Sequence, residues 1–192
     1  MARTPSTMLP LGTPAPDFTL RDTVTGRTVS LADFMDAPAL LVMFICNHCP
    51  YVIHVRETLA RLVHDRMDRG LAVVAINANS VETHPQDGPE HMAELARAEG
   101  WRFPYLFDDT QDVAHAYHAA CTPDFFLFDQ GRRLVYRGQL DDSRPSNGVP
   151  VTGADLARAI DACLAGEPPL EVQRASLGCN IKWRPGNEPK LY

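Results

Sequence analysis

Apolar residues gather into two unbroken runs of strand length, Ala39-Leu40-Leu41-Val42-Met43-Phe44-Ile45 and Leu71-Ala72-Val73-Val74-Ala75-Ile76. Neither run alternates with polar residues, which is how a strand buried on both faces reads. Between them Val52, Val55, Leu59, Leu62 and Val63 recur at helical spacing. The spacing predicts an amphipathic helix over residues 49–69. Pro50 suits its first turn, where an N–H would be unpaired in any case, and Gly70 ends it. Strand, helix and strand form a βαβ unit with a right-handed crossover.

Upstream, residues 18–20 and 28–31 flank Thr25-Gly26, a hairpin signal. Downstream, a polar loop over 77–89 leads into a helix ending near 98 and a short strand at 105–107. Asp108-Asp109-Thr110 can open a further helix reaching 119. Strands at 124–128 and 134–136 join through Asp129-Gln130-Gly131. Thr152 caps a last helix that turns Leu156, Ile160, Cys163 and Leu164 inward. The order predicts an α/β fold: a mixed central sheet with helices on both faces, an N-terminal β-hairpin and an irregular C-terminal tail. Residues 1–10 read as an arm, 11–166 as one domain, and 167–192 as a tail packed on it through Ile181 and Trp183.

Charge narrows the partners. Eighteen basic against 24 acidic residues give a net charge of −6 with no basic block, so nucleic acid is not expected. The longest apolar run is far short of the roughly 20 residues a bilayer needs. The first ten residues have no apolar core of a signal peptide. The expectation is a cytoplasmic protein without membrane attachment; the sequence does not address its oligomeric state.

Five cysteines, Cys46, Cys49, Cys121, Cys163 and Cys179, are an odd set for a secreted disulfide scaffold. Cys46-Asn47-His48-Cys49 follows a buried strand and precedes a helix. A sulfur at a helix N-terminus meets unpaired N–H groups that favour thiolate, the nucleophilic form. On this reading Cys46 attacks a disulfide and Cys49 resolves the mixed disulfide. A protonated His48 would stabilise the Cys46 thiolate further. Thr122-Pro123 precedes a strand that can bring it to the motif.

These residues carry a family resemblance. Gly12-Thr13-Pro14-Ala15-Pro16-Asp17-Phe18-Thr19-Leu20, the stretch around Cys46-Asn47-His48-Cys49-Pro50, Cys121-Thr122-Pro123-Asp124-Phe125-Phe126-Leu127-Phe128-Asp129 and Gly178-Cys179-Asn180-Ile181-Lys182-Trp183 resemble the thioredoxin superfamily. The similarity is to its peroxiredoxin-like and TlpA/ResA-like branch, including AhpC/TSA-like proteins, and covers about residues 11–186. It implies a thioredoxin-like fold and a cis Pro123 facing Cys46 and Cys49, with Asn47, His48, Pro50 and Thr122 as active-site neighbours. The chain departs from the superfamily at three places. Ile45 stands where thioredoxins carry Trp, Leu40 where they carry a buried Asp, and Met43 where peroxiredoxins carry Thr.

The expected function is that of a thiol–disulfide oxidoreductase acting on protein or small-molecule thiols and disulfides, with no cofactor and no bound metal. A thiol peroxidase acting on peroxides is one alternative. A non-enzymatic thiol-based metal-binding or chaperone module is another. Cys121 and Cys179 are candidate additional redox thiols, and Cys163 reads as core filler. His115 and His118, like His54 and His64, read as solvated helix positions.

Overall fold

The structure is a computed structural model and describes residues 3–189. In chain order its strands are β1 (Arg3–Pro5), β2 (Thr19–Asp22), β3 (Thr28–Ser30), β4 (Ala39–Phe44), β5 (Leu71–Asn77), β6 (Tyr105–Phe107), β7 (Cys121–Thr122), β8 (Asp124–Phe128), β9 (Leu134–Gly138) and β10 (Leu177–Asn180). Its α-helices are α1 (Pro50–Met67), α2 (Pro89–Ala98), α3 (Asp112–Ala116) and α4 (Ala154–Leu164).

The run at 39–44 sets the architecture. Side chains alternate across a strand. Leu41 and Met43 enter one apolar layer with Val52, Val55, Leu59 and Val63 of α1, Met92 of α2 and Ile160 of α4. Leu40, Val42 and Phe44 enter the opposite layer with Val113 and Ala114 of α3, Tyr117 and Phe18. Burying each such Val, Leu or Phe contributes roughly 1.5–3 kcal/mol. β4 therefore needs helices on both faces, and it lies inside a seven-stranded sheet of order β3-β2-β6-β5-β4-β8-β9. β4 pairs parallel with β5 and antiparallel with β8. The α/β expectation with a mixed sheet holds.

The pairing positions the site. Phe44 at the end of β4 lies opposite Asp124 at the start of β8. That register brings the cis Thr122–Pro123 bond beside residues 46–49, where the chain leaves β4 for α1.

Several local expectations change. Helix α1 starts at Pro50 with Cys49 as its N-cap, so Cys46 lies a turn before the helix. α3 is shorter than expected because Gln111 takes a left-handed conformation at φ 67°. Its N–H groups are served instead by Asp108, whose Oδ2 accepts from Ala114 N–H at 2.8 Å. The N-cap of α4 is Gly153, not Thr152. A carboxylate outcompetes the hydroxyl there: Asp141 Oδ2 accepts the N–H groups of Thr152 and Gly153, each at 2.6 Å.

The C-terminal tail is not irregular throughout. β10 lies between β1 and β7 in a second, three-stranded sheet. Gly178 makes this possible: a Cβ there would sit 2.1 Å from the Thr122 carbonyl oxygen. Ile181 is buried and Trp183 packs partly buried against the same layer. Residues 1–2 of the expected arm and 190–192 of the expected tail lie outside the described residues. Among the described residues no helix is long and apolar enough to cross a membrane.

Candidate active site

Cys46, Asn47, His48 and Cys49 are the last four of the five residues between β4 and α1. Cys46 is 1% exposed and Cys49 fully buried, and no disulfide joins them. The Cys49 thiol donates to the Thr122 carbonyl at 3.2 Å, and Cys46 Sγ lies 3.4 Å from Thr122 Oγ1. The residue before the cis proline thus touches both sulfurs, one through its backbone and the other through its side chain.

The N-terminus of α1 serves Cys49 and not Cys46. With Pro50 at the first helical position, the Val52 N–H reaches the Cys49 sulfur. Cys46 hydrogen-bonds to the same sulfur. Despite burial, that bond, with help from Cys179, Thr122 and Val52, draws Cys49 down to about 4. Cys46 is pushed well above the ordinary thiol value because it donates to Cys49, is buried, and faces the charge of Asp87. The two sulfurs titrate as one coupled pair, and of the two Cys49 is the one whose thiolate is favoured.

Asp87 is the residue that sequence reasoning missed. It is fully buried, in a one-turn 3-10 helix within the polar loop. Its Oδ1 accepts the Asn47 N–H at 2.8 Å. Its Oδ2 faces His48 Nδ1 at 2.6 Å and accepts from Asn79 Nδ2 at 2.8 Å. Burial alone would raise its pKa, but the bonds from His48, Asn79 and Asn47 outweigh it and hold Asp87 below the usual carboxylate value. Asn47 is held further by its own Nδ2 on the Gln86 carbonyl at 2.9 Å and by the Tyr105 hydroxyl at 3.1 Å. His48 therefore turns its Nδ1 to Asp87, 4.0 Å from Cys46 Sγ, and stacks on His84. No local signal marks Asp87 among the acids of the chain; only the return of β5 beside β4 brings its loop here.

The structure gathers Cys46, Asn47, His48, Cys49, Pro50, Thr122 and Pro123 into one place and adds Cys179, whose thiol donates to the Cys49 sulfur. Cys121 is buried close by, yet its thiol points to the Pro123 carbonyl at 3.6 Å. Burial and the neighbouring Asp124 push it well up. Asp124 is itself fully buried and raised to about 7 by that burial. Cys163 is half-buried against the core of α4. The four solvated histidines of the sequence reading are each partly buried instead; His54 Nε2 meets Ser143 Oγ at 2.7 Å and His115 stacks on Trp183.

Cys46, His48 and Asp87 are the one trio of metal-capable groups among the described residues whose donor atoms lie within 4.8 Å of one another. Two tetrahedral zinc ligands of N and O type stand about 3.4 Å apart. The 2.6 Å His48–Asp87 contact is a hydrogen bond by comparison.

A sulfur pair one turn apart where a central strand meets a helix, facing a cis proline across the sheet, defines the thioredoxin-like redox class. Within it the chain belongs to the AhpC/TSA family, whose model matches residues 11–137. An uncharacterized conserved protein from Geobacillus kaustophilus is 52% identical with a TM-score of 0.95, over 97% of this chain and 98% of that one. A hypothetical protein from Sinorhizobium meliloti is 53% identical with a TM-score of 0.93, over 95% and 100%. The thioredoxin domain of a thiol-disulfide oxidoreductase from Bacteroides vulgatus shares the fold at 21% identity and a TM-score of 0.63, over 81% and 99%. No curated protein matches the chain.

Proposed function

We propose that this protein is a thiol–disulfide oxidoreductase that cycles between the dithiol and a Cys46–Cys49 disulfide. The observation that carries the reading is the meeting of two buried sulfurs on the residue before the cis proline: the Cys49 thiol donates to the Thr122 carbonyl at 3.2 Å and Cys46 Sγ lies 3.4 Å from the Thr122 hydroxyl. Cys49 is enclosed by Thr122, Cys179 and α1, whereas Cys46 borders Asn47 and His48, both partly exposed. An incoming disulfide meets Cys46 first.

As the Cys46 sulfur attacks, its proton passes to Cys49, and the first substrate sulfur leaves as thiolate. That thiolate takes the proton from Cys49, which then attacks the Cys46 sulfur of the mixed disulfide and expels the second substrate sulfur. Two protein sulfurs are oxidised and two substrate sulfurs reduced; run backwards, the same steps oxidise a substrate dithiol. The substrates are thiols and disulfides of proteins or small molecules.

The test is reduction of insulin and of oxidised glutathione by the wild type and by Cys46→Ser and Cys49→Ser. Loss of turnover in both variants is expected, and full activity in Cys46→Ser overturns the reading. Peroxide consumption far faster than that of a free thiol would instead favour a peroxidase. Met43 stands where the peroxiredoxin Thr is found, which argues against that outcome.

A further inference from the structure

Cys179 is neither half of the proposed redox pair, yet it sits in the centre. Antiparallel pairing of β10 with β7 sets Cys179 opposite Thr122, the residue whose carbonyl holds the Cys49 thiol at 3.2 Å. Cys49 and Cys179 are buried in the same apolar layer and act on each other's titration. The first turn of α1 is divided between them: the Val52 N–H points to Cys49 and the Tyr51 N–H to Cys179. The side chain of residue 178 is absent for a reason, because only glycine lets β10 approach the Thr122 carbonyl this closely. Cys49 is therefore the middle sulfur of a row of three. The three thiols do not converge on one point, since the trio of donors within 4.8 Å of one another is a different one, Cys46, His48 and Asp87.

We propose that Cys179 is a third redox thiol and that a Cys49–Cys179 disulfide is a second oxidised form of the protein. This rests on the Cys46–Cys49 couple described above. The exchange is redox-neutral. Deprotonated Cys179 attacks Cys49 Sγ in the Cys46–Cys49 disulfide, the S–S bond to Cys46 breaks, and Cys46 leaves as thiolate and takes up the proton that Cys179 released. Oxidising equivalents then rest on the Cys49–Cys179 pair while Cys46, which borders the partly exposed Asn47 and His48, returns to the thiol state and can engage a second substrate.

The timing is built into the electrostatics. In the dithiol form burial, the hydrogen bond to Cys49 and the charge of Cys49 together push Cys179 up to about 12, with Lys182 and the Tyr51 N–H pulling the other way. Oxidation of Cys49 removes its charge and its acceptor role at once. Burial, the largest cause, remains, and so do the opposing Tyr51 N–H and Lys182, so the Cys179 thiol becomes easier to deprotonate. Cys179 is thus a better nucleophile when there is a disulfide for it to attack than in the dithiol form.

Tryptic cleavage reads the answer, because residues 28–56 form one peptide holding Cys46 and Cys49, and residues 175–182 form another holding Cys179. Full-length protein is equilibrated in glutathione buffers of graded potential, quenched with acid, alkylated after unfolding, and digested without reduction. A disulfide linking the two peptides is expected in the wild type, at about one tenth or more of the oxidised protein, which places the two disulfides within about 30 mV of each other. The same link is expected in Cys46→Ser, where it is the one disulfide left to Cys49 within this row. Cys179→Ser is expected to oxidise only within peptide 28–56. A wild type in which the Cys46–Cys49 disulfide forms while Cys179 is wholly alkylated at every potential overturns the third thiol and leaves the redox pair standing. Failure of any disulfide to form within 28–56 overturns the pair itself.

Discussion

Replacing Asp87 by Asn tests the arrangement where it is most constrained. The carboxylate accepts three hydrogen bonds in a fully buried position: Asn47 N–H at 2.8 Å on one oxygen, His48 Nδ1–H at 2.6 Å and Asn79 Nδ2 at 2.8 Å on the other. An amide is almost the same shape but brings its own donors. With its nitrogen in place of Oδ1 it meets the Asn47 N–H, and in place of Oδ2 it meets the Asn79 amide nitrogen. Either way a buried donor faces a donor, which costs about 1–3 kcal/mol, and the bonds that remain lose the extra strength of a charged acceptor. The loss should be about 2–5 kcal/mol at neutral pH, a large part of the roughly 5–15 kcal/mol of a typical domain.

The pH dependence separates this from a mere packing defect. Asp87 has its folded pKa below the ordinary carboxylate value. Its stabilisation is therefore present above the unfolded pKa, about 3.9, and drains away as pH falls through the lower folded value. Urea unfolding of wild type and Asp87→Asn should differ by several kcal/mol at pH 7, and the difference should narrow as pH falls below about 3.9. Loss of the charge should also lower the pKa of Cys46, which Asp87 raises. A variant within about 0.5 kcal/mol of wild type at pH 7, or a deficit that does not change on acidification, refutes the account.

Three further substitutions probe the surroundings. Asp124 is fully buried with its pKa raised to about 7, so folding favours its neutral form and stability drains as pH rises from the unfolded value through 7. Asp124→Asn should lack that decline and gain on wild type by up to about 4 kcal/mol between pH 4 and pH 8, and parallel pH profiles would refute it. Thr122→Val removes the hydroxyl 3.4 Å from Cys46 Sγ, which lowers the Cys46 pKa. In a Cys49→Ser background the rate of Cys46 alkylation should fall about fivefold, the worth of one hydrogen bond of about 1 kcal/mol, and an unchanged rate refutes the contact. Gly178→Ala places a Cβ 2.1 Å from the Thr122 carbonyl oxygen. It should cost about 1–3 kcal/mol and expose Cys179 to alkylation in the native state; a Cys179 that stays unreactive refutes the close approach.

Some of this was legible in the sequence and some was not, for physical reasons. The strands at 39–45 and 71–76 announce themselves because burial on both faces demands unbroken apolar runs, and α1 because its stripe repeats at 3.6 residues. β7 and β10 hold only two and four residues, with Gly, Asn, Thr and Cys among them, and exist because they pair across more than fifty residues of chain. Their pairing carries no local periodicity. Cys46 and Cys49 are legible because their chemistry is written in consecutive residues. Asp87 is forty positions from Asn47 and becomes part of the centre only when β4 and β5 lie side by side. The thiolate expected at Cys46 is disfavoured because the helix begins after Cys49 and the Val52 N–H of its first turn reaches that sulfur instead.

That shift carries a consequence for the direction of electron flow. Leu40 stands where thioredoxins keep a buried acid, and the buried carboxylate of this centre, Asp87, lies on the Cys46 side. A charge there disfavours thiolate on Cys46 and leaves Cys49 as the sulfur that the helix N–H, the Cys46 thiol and the Cys179 thiol all stabilise. Thiolate exists only in the reduced form. Every tenfold of preference for it at working pH stabilises the dithiol against the disulfide and moves a two-electron couple about 30 mV toward oxidising. With Cys49 drawn to about 4, the Cys46–Cys49 couple should lie on the oxidising side of thioredoxin's potential of about −270 mV. Equilibration against glutathione reads the value directly. A midpoint at or below about −270 mV would mean that the negative charge is not held on Cys49 in the dithiol form.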